Sequence, residues 1–160
     1  MGARLDPGAI FAVLNAHGVD YVVVGGFAAV THGVPRTTFD VDIVADRTRE
    51  NLNRLAGAMD DLGAPKRVSD SANFLELDPR DAFDLARGRI TRIDTQFGPL
   101  DVLADPPGAL AFSDLLTQAE RITTSQAVVP VVSRQHLLVL KQASGRDKDL
   151  MDLADLERDV

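Results

Sequence analysis

Three aspartates lie inside otherwise apolar segments of the chain, and they have the clearest capacity for chemistry. Asp40 and Asp42 are separated by one residue within the apolar run 39–44. Side chains alternate faces along a strand, so both carboxylates point the same way, roughly 6.5–7 Å apart. Asp101 interrupts a second apolar run, 100–103. Because buried charges are costly unless they are paired or bind a metal, the three acids predict a metal site.

The ligand types in the chain limit which metal such a site would bind. There is no cysteine, and His17, His32 and His136 show no metal-ligand spacing. Carboxylate oxygens suit Mg²⁺ or Mn²⁺ better than zinc. Paired catalytic cations lie about 3.5–4 Å apart, so two carboxylates on one strand face can share one ion and reach toward a second. The alternative interpretation is a surface strand whose aspartates merely face water.

A glycine pair just upstream adds a candidate phosphate site. Gly25 and Gly26 follow an apolar strand predicted at 21–24 and precede the apolar helical residues 27–30. Bare backbone N–H groups at the start of a helix bind anions, which suits a triphosphate. A dinucleotide-binding turn fits poorly because the G-x-G-x-x-G pattern is absent. A glycine turn with only a structural role remains the alternative.

Helix caps and apolar periodicity predict the elements that must position these residues. Helices are predicted from Pro7 to Gly18, from Thr48 to Gly63, over 112–119, from Ser133 to Gly145 and over 147–156, with a shorter helical stretch at 81–87. Strands are predicted at 21–24, 39–44, 73–77, 89–95, 100–103 and 127–132. The last is expected at a sheet edge because it contains Pro130. Residues 96–99 are the expected turn of a β-hairpin that carries Asp101.

These elements indicate one α+β domain, a small mixed β-sheet flanked by helices with a helical C-terminal segment. We assign residues 1–132 to the core and 133–160 to a helical segment packed on it. A chain of 160 residues can bury such a core without disulfides. No apolar run reaches the length of a membrane span, and the N-terminus lacks a signal-peptide apolar region. We therefore expect a cytoplasmic protein with no membrane partner.

Composition excludes some functions and leaves others open. Without cysteine there is no disulfide, thiolate zinc site or thiol catalysis. A net charge of −7 argues against a surface covered in nucleic-acid-binding charge. Lysines and arginines nevertheless gather at 87–92 and 134–148. The group at 87–92 would favour an RNA partner if it lined the cleft.

In combination, these motifs resemble the polymerase-beta-like nucleotidyltransferase superfamily. They are the glycine pair, the R-x-T-x-D-h-D run from Arg36 to Asp42, the hairpin strand with Asp101, and a K-x-x-x-x-R-x-K-D segment from Lys141 to Asp149. The form of the second motif and the tail looks like the branch of stand-alone bacterial nucleotidyltransferases. That branch includes toxins of abortive-infection type toxin–antitoxin pairs. The resemblance covers roughly residues 20–156, although those toxins are often considerably longer.

The resemblance implies a nucleotidyltransferase fold and a role for each acid. Asp40 and Asp42 would bind two Mg²⁺ or Mn²⁺ ions, and Asp101 would bind the catalytic ion and help deprotonate the acceptor hydroxyl. The enzyme would move an NMP from an NTP such as ATP to a hydroxyl on RNA, for example tRNA, on protein or on a small molecule. A toxin would have a cognate antitoxin as partner.

The phosphates of the NTP would be held by the glycines and by basic residues. Gly25 and Gly26 would hold the β- and γ-phosphates, while Arg36 and Lys141 are the basic residues assigned to nucleotide binding. Lys141 is favoured because it lies on a largely apolar helix where a lysine needs a partner, and Arg146 and Lys148 are further candidates. Arg36 could instead pair with Asp40 or Asp42. Asp149 and Asp152 are expected to pair with Arg146 and Lys148 at helical spacing.

Two other functions remain open from the sequence. One is a catalytically idle module of the same fold that binds a nucleotide or a partner protein. The other is an aminoglycoside-type, drug-modifying nucleotidyltransferase, for which an acidic surface suits a cationic drug. Acceptor contacts are expected within residues 66–87, between the D-h-D strand and the hairpin.

Overall fold

The fold is a mixed α+β arrangement around one β-sheet, as expected from the sequence. The computed structural model describes residues 4–63, 68–70, 74–75, 90–103, 106–108 and 110–158. In this part of the chain, eight strands form the sheet in the order β4-β3-β5-β6-β2-β1-β8-β7. The strands are β1 Tyr21–Val24, β2 Val41–Ala45, β3 Val68–Asp70, β4 Phe74–Leu75, β5 Ile90–Thr95, β6 Gly98–Leu103, β7 Glu120–Thr123 and β8 Val128–Val131.

Six helices are described, and side-chain caps start three of them. The helices are α1 Pro7–Ala16, α2 Gly25–Thr31, α3 Arg49–Asp61, α4 Phe112–Thr117, α5 Arg134–Ser144 and α6 Asp147–Arg158. The predicted caps are confirmed: Asp6, Thr48 and Ser133 accept hydrogen bonds from Ala9, Asn51 and His136. Gly145 ends α5 in the left-handed conformation. The helix predicted over 112–119 is two residues shorter, ending at Thr117.

At the centre of the sheet, β2 and β6, the strands that carry Asp42 and Asp101, lie side by side. β2 runs antiparallel to β1 and parallel to β6, and β5 is antiparallel to β6. All four residues of β1 are buried, which explains the uninterrupted apolar run 21–24. In the core, Phe11 stacks on Tyr21 at 6.3 Å and meets Phe27 edge-on at 5.2 Å.

A buried asparagine links the start of β1 to the end of β2. Asn51 on α3 accepts a hydrogen bond from Asp20 N and donates to Asp20 O and Asp46 O, at 2.7, 2.9 and 2.7 Å. It is fully buried, and these bonds satisfy backbone groups just outside both strands. With Tyr21 paired to Ala45, Val24 lies opposite Asp42, next to the glycine pair.

Several predicted strand boundaries were wrong. The hairpin turn is Gln96-Phe97 alone, because β6 begins at Gly98, and β2 begins at Val41, so Asp40 lies just before it. β8 is not an edge strand, since β7 covers it. Val132 N donates to Val23 O on β1. Because backbone N–H groups alternate sides along a strand, the N–H that Pro130 lacks would also point toward β1. The pairing of β8 with β1 is short there, with only Val23 and Val131 in register, so the proline is tolerated.

Part of the prediction falls on residues that are not described. Of the strand expected at 73–77, Phe74–Leu75 is described, paired with β3, which the sequence did not predict. The helical stretch expected at 81–87 and most of the segment 66–87 lie outside the described residues.

Candidate active site

Asp40, Asp42 and Asp101 come together at one point of the sheet. Asp42 on β2 and Asp101 on β6 are direct partners in the parallel ladder, so their side chains share a face. Asp40 lies one residue before β2, and one carboxylate oxygen from each of the three aspartates falls within 4.8 Å of the others. Asp101 is buried, and the other two are half-buried. We call these residues the carboxylate trio.

Electrostatics within the trio disfavour three negative charges. Burial, reinforced by the charges of Asp40 and Asp101, raises the pKa of Asp42 to about 7, and a hydrogen bond with Asp101 acts in the same direction. The positive charge of Lys148 acts against this rise. Clustered carboxylate oxygens that repel one another form the donor set that hard divalent cations prefer. The residues present therefore fit Mg²⁺ or Mn²⁺.

Arg92 is the one basic residue that directly contacts the trio among the described residues. It lies opposite Asp101 in the β5–β6 ladder. Its Nε donates to Asp101 Oδ1 at 2.8 Å, and its Nη2 donates to Asp101 Oδ2 at 2.9 Å and to Asp40 Oδ2 at 3.0 Å. Sequence analysis named Arg92 only as part of the basic group 87–92 and not as a residue of the site. Predicting a two-residue hairpin turn at 96–97 would have placed it opposite Asp101.

The two glycines are required by close packing, whatever else they do. Gly25 has φ +67°, and a Cβ there would lie 2.1 Å from Asp42 Oδ2. A Cβ on Gly26 would lie 2.9 Å from Arg36 Nη2 and from Thr38 Oγ1. The predicted turn is the first turn of α2, which begins at Gly25 directly after β1. Gly25 also lines a cleft that it shares with the carboxylate trio.

A cleft of about 520 Å³ opens over the carboxylate trio. Three basic residues from the C-terminal helices and their junction line the same cleft as the acids: Lys141, Arg146 and Lys148. Apolar side chains complete the wall: Val24, Ile90, Leu103, Pro107, Leu137 and Leu140. The lining therefore suits an anionic ligand that also has an apolar portion.

Lys141 and Arg36 are held by carboxylates of α6. Lys141 is buried, and its Nζ lies 3.0 Å from Asp149 Oδ1 and 2.9 Å from Asp152 Oδ2. Arg36 donates from Nε and Nη2 to the two oxygens of Asp152 at 2.8 and 2.9 Å. The expectation that Arg36 could pair with Asp40 or Asp42 was therefore wrong. Asp152, expected to pair with Arg146 or Lys148, pairs with Arg36 and Lys141 instead.

Arg146 has an ion-pair partner among the described residues, whereas Lys148 has none. Arg146 Nε donates to Asp149 Oδ2 at 2.8 Å, as expected from their spacing. Lys148 is exposed and borders the cleft, and it forms no hydrogen bond or ion pair with another described residue. Its charge reaches Asp42, since it lowers the pKa of that carboxyl against the larger effect of burial.

The histidines stay away from the cleft. His17 and His32 are the C-caps of α1 and α2, as expected of residues near helix ends. His17 Nε2 lies 2.6 Å from Asp61 Oδ2, and His32 Nε2 lies 2.8 Å from Val132 O. His136 is buried in α5. Of the described residues that line the cleft, none is a histidine.

Solved structures share the fold of this protein across nearly the whole chain. A candidate nucleotidyltransferase from Thermotoga maritima superposes with a TM-score of 0.58 at 18% identity, covering 94% of this chain and 89% of that one. The lincosamide antibiotic adenylyltransferase LnuA, bound to lincomycin, gives 0.59 at 13%, covering 96% and 98%. An antigenic nucleotidyltransferase-like protein from Paracoccidioides brasiliensis gives 0.53 at 20%, covering 96% and 78%. The chain has a nucleotidyltransferase fold.

Sequence comparison adds no closer assignment. No family model matches, and no curated protein matches. The fold expected from the motifs is confirmed, while the toxin branch stays a prediction. Within the described residues, no helix is both long and apolar enough to cross a membrane.

Proposed function

We propose that the protein is a metal-dependent nucleotidyltransferase that moves an NMP from an NTP to a hydroxyl acceptor. The observation that carries this proposal is the carboxylate trio, packed to within 4.8 Å in a cleft that Arg146 and Lys148 also line. Acids that hold metal ions, together with basic residues that hold phosphates in the same cleft, are what phosphoryl-type transfer requires. The fold shared with adenylyltransferases such as LnuA supports the same reaction class.

Asp40, Asp42 and Asp101 would hold Mg²⁺ or Mn²⁺, and we propose two ions. When bound, these ions supply positive charge at the reacting phosphate and the leaving pyrophosphate. In the transfer, the acceptor oxygen forms a bond to the α-phosphorus while the bond to the β-phosphate bridging oxygen breaks. The acceptor hydroxyl gives up its proton, and we assign Asp101 to receive it. Pyrophosphate leaves with the electron pair of the broken bond.

The phosphate-binding residues are assigned differently from the sequence expectation. Gly25 and Gly26 keep the proposed role of presenting backbone amides to the phosphates. Lys148, which forms no bond to another described residue, is the proposed cation for the triphosphate, assisted by Arg146. Lys141 and Arg36, which the sequence predicts to be nucleotide ligands, are held by Asp149 and Asp152. They support the cleft by fixing α5 and α6 against the loop that leads to Asp40.

Two acceptor classes are supported by different observations. The R-x-T-x-D-h-D and K-x-x-x-x-R-x-K-D motifs favour the toxin branch, with tRNA or a protein as acceptor and an antitoxin as partner. A small hydroxyl-bearing antibiotic is favoured by LnuA, which this chain matches over 98% of that chain's length, so a domain of this size accommodates a drug-sized ligand. The protein is proposed to act in the cytoplasm.

The deciding experiment incubates the full chain with Mg²⁺ and each labelled NTP in turn. Three acceptor pools are supplied separately: total RNA, lysate protein, and a panel of aminoglycosides and lincosamides. Label transfer that is lost in Asp42→Asn and Asp101→Asn but kept in Asp60→Asn, a change on the exposed side of α3, supports the proposal. The pool that takes the label identifies the acceptor class. No transfer and no pyrophosphate release with any NTP would contradict it and favour the idle module.

A further inference from the structure

Arg92 occupies the oxygens that a metal ion would need. Both oxygens of Asp101 and one oxygen of Asp40 accept hydrogen bonds from its guanidinium, at 2.8, 2.9 and 3.0 Å. Those same two side chains belong to the carboxylate trio, the only group of three or more possible ligands close enough to hold a metal among the residues described. A carboxylate oxygen that accepts a short bond from a guanidinium offers one lone pair fewer to a cation.

The placement of Arg92 is built into the sheet. In β5, exposed and buried residues alternate strictly, and Arg92 lies between buried Thr91 and Ile93. Asp42, Asp101 and Arg92 are partners across β2, β6 and β5, so they form one row on one face of three adjacent strands. The side chain of Arg92 is still 45% exposed, whereas that of Asp101 is 10% exposed. Its guanidinium can therefore move within the cleft without disturbing the core.

We infer that Arg92 is the resident counter-ion of the carboxylate trio, and that a divalent cation binds by displacing its guanidinium from Asp101 and Asp40. This inference rests on the proposed metal site. The displaced guanidinium stays within the cleft, which Arg92 itself lines. There it adds a cation beside the bound phosphates. Arg92 is thus a positioning residue that holds the trio together without metal and sets the affinity for metal.

Only the planar guanidinium of an arginine can make these three hydrogen bonds to Asp101 and Asp40 at once. Two parallel bonds to one carboxylate and a third to its neighbour need the fixed geometry of a guanidinium. A lysine at position 92 keeps the charge but, as a point donor, cannot take both oxygens of Asp101 and reach Asp40 in the same way. Charge and occupancy can therefore be separated by two substitutions.

The test measures Mn²⁺ affinity of the full chain by titration calorimetry and by electron paramagnetic resonance of free Mn²⁺, without nucleotide. Arg92→Gln and Arg92→Lys are compared with the wild type. The matched control is Arg121→Gln, which removes one positive charge from an exposed position on β7 at the far end of the sheet. We expect Arg92→Gln to bind Mn²⁺ roughly tenfold more tightly, the effect of about one charge-assisted pair. Arg92→Lys should be intermediate, and Arg121→Gln unchanged.

Each other outcome has a definite meaning. If Arg92→Gln binds more tightly but Arg92→Lys matches the wild type, only the charge matters and the displacement model is wrong. If neither variant binds more tightly, Arg92 does not compete for the trio. If the wild type and every variant fail to bind Mn²⁺, the metal site itself fails and the proposed function fails with it. Melting temperatures measured in chelator confirm that each variant is folded.

Discussion

Arg36 and Asp152 form a two-bond ion pair across 116 positions of sequence, with N···O distances of 2.8 and 2.9 Å. The side chain of Asp152 is 2% exposed and also accepts from Lys141 at 2.9 Å. Through this carboxylate, helix α6 is fixed to the segment that leads directly into Asp40. The C-terminal helix therefore helps to place the carboxylate trio, although it supplies none of its members.

Replacing Asp152 with asparagine should be strongly destabilising. The change removes the negative charge that compensates Arg36 and buried Lys141, and breaking a buried pair from one side costs about 3–5 kcal/mol, less here because Arg36 is partly exposed. We expect the free energy of unfolding in urea to fall by about 2–4 kcal/mol. Asp155→Asn is the matched control on the same helix. Its partner Arg158 has a side chain 76% exposed, so a change of about 0.5 kcal/mol or less is expected. Equal losses in both variants would contradict the role given to Asp152.

The free energy of unfolding at acid pH should depend on the ionisation of Asp149. Burial alone would raise the pKa of this carboxyl, but hydrogen bonds from Arg146 and Lys141 lower it to about 2. A pKa lower in the folded than in the unfolded state contributes stability above about pH 4, and this is lost as pH falls toward 2. The contribution at neutral pH is about 2 kcal/mol. In urea unfolding, the difference between wild type and Asp149→Asn should be largest above pH 4 and shrink toward pH 2. A difference that does not change with pH would exclude this linkage.

Alanine at Gly25 should perturb the site, whereas alanine at another glycine should not. Gly25 combines φ +67° with a Cβ position 2.1 Å from Asp42 Oδ2, so Gly25→Ala should lose roughly 2 kcal/mol or more. Gly57 lies in the interior of α3, where an added Cβ meets only His17 Nδ1, at 3.6 Å. Gly57→Ala should therefore gain about 0.5–1 kcal/mol. Thermal unfolding of both variants tests this, and a neutral Gly25→Ala would show that Asp42 is not held against the turn.

Neutralising one acid of the trio should stabilise the protein without metal. Three carboxylates within 4.8 Å repel one another, and Arg92 compensates only part of their charge. We expect Asp42→Asn to gain about 1–2 kcal/mol in chelator, a rise of about 2–8 °C in melting temperature. Added Mn²⁺ should raise the melting temperature of the wild type but not of this variant, because a ligand stabilises only the state that binds it. Asp60→Asn serves as the control and should keep the Mn²⁺ effect. A variant that melts lower in chelator and still responds to Mn²⁺ would argue against a metal site.

Local sequence signals predicted most helices and strands, but they could not predict which distant residues pair with one another. Caps at Asp6, Thr48 and Ser133 and the apolar run of β1 need only neighbouring residues, and all are confirmed. Strand β7 was missed because Glu120–Thr123 is a largely exposed edge segment with no apolar alternation. The ion pair of Arg36 could not be predicted, since 24 acidic residues compete for 17 basic ones and the pair is distant in sequence. The contact of Arg92 was accessible through the hairpin register, but the turn was placed two residues too long.

The two lysines of the C-terminal motif should prove to have opposite roles. Lys141 is 4% exposed and is bonded to Asp149 and Asp152, so Lys141→Ala leaves two buried acids partly uncompensated and should cost about 2–4 kcal/mol of stability. Lys148 is exposed beside the cleft, so Lys148→Ala should change stability by less than about 0.5 kcal/mol.

In the transfer assay, Lys148→Ala should raise the KM for the NTP roughly tenfold, because it removes a charge-assisted contact to phosphate made before the chemical step. Lys141→Ala, assayed well below its melting temperature, should keep the KM of the wild type within a few-fold. The reverse pattern, with KM raised only in Lys141→Ala, would restore the assignment that the sequence suggested. It would mean that a bound nucleotide draws the lysine away from Asp149 and Asp152. Steady-state kinetics and melting curves of the two variants thus decide which lysine binds the phosphates.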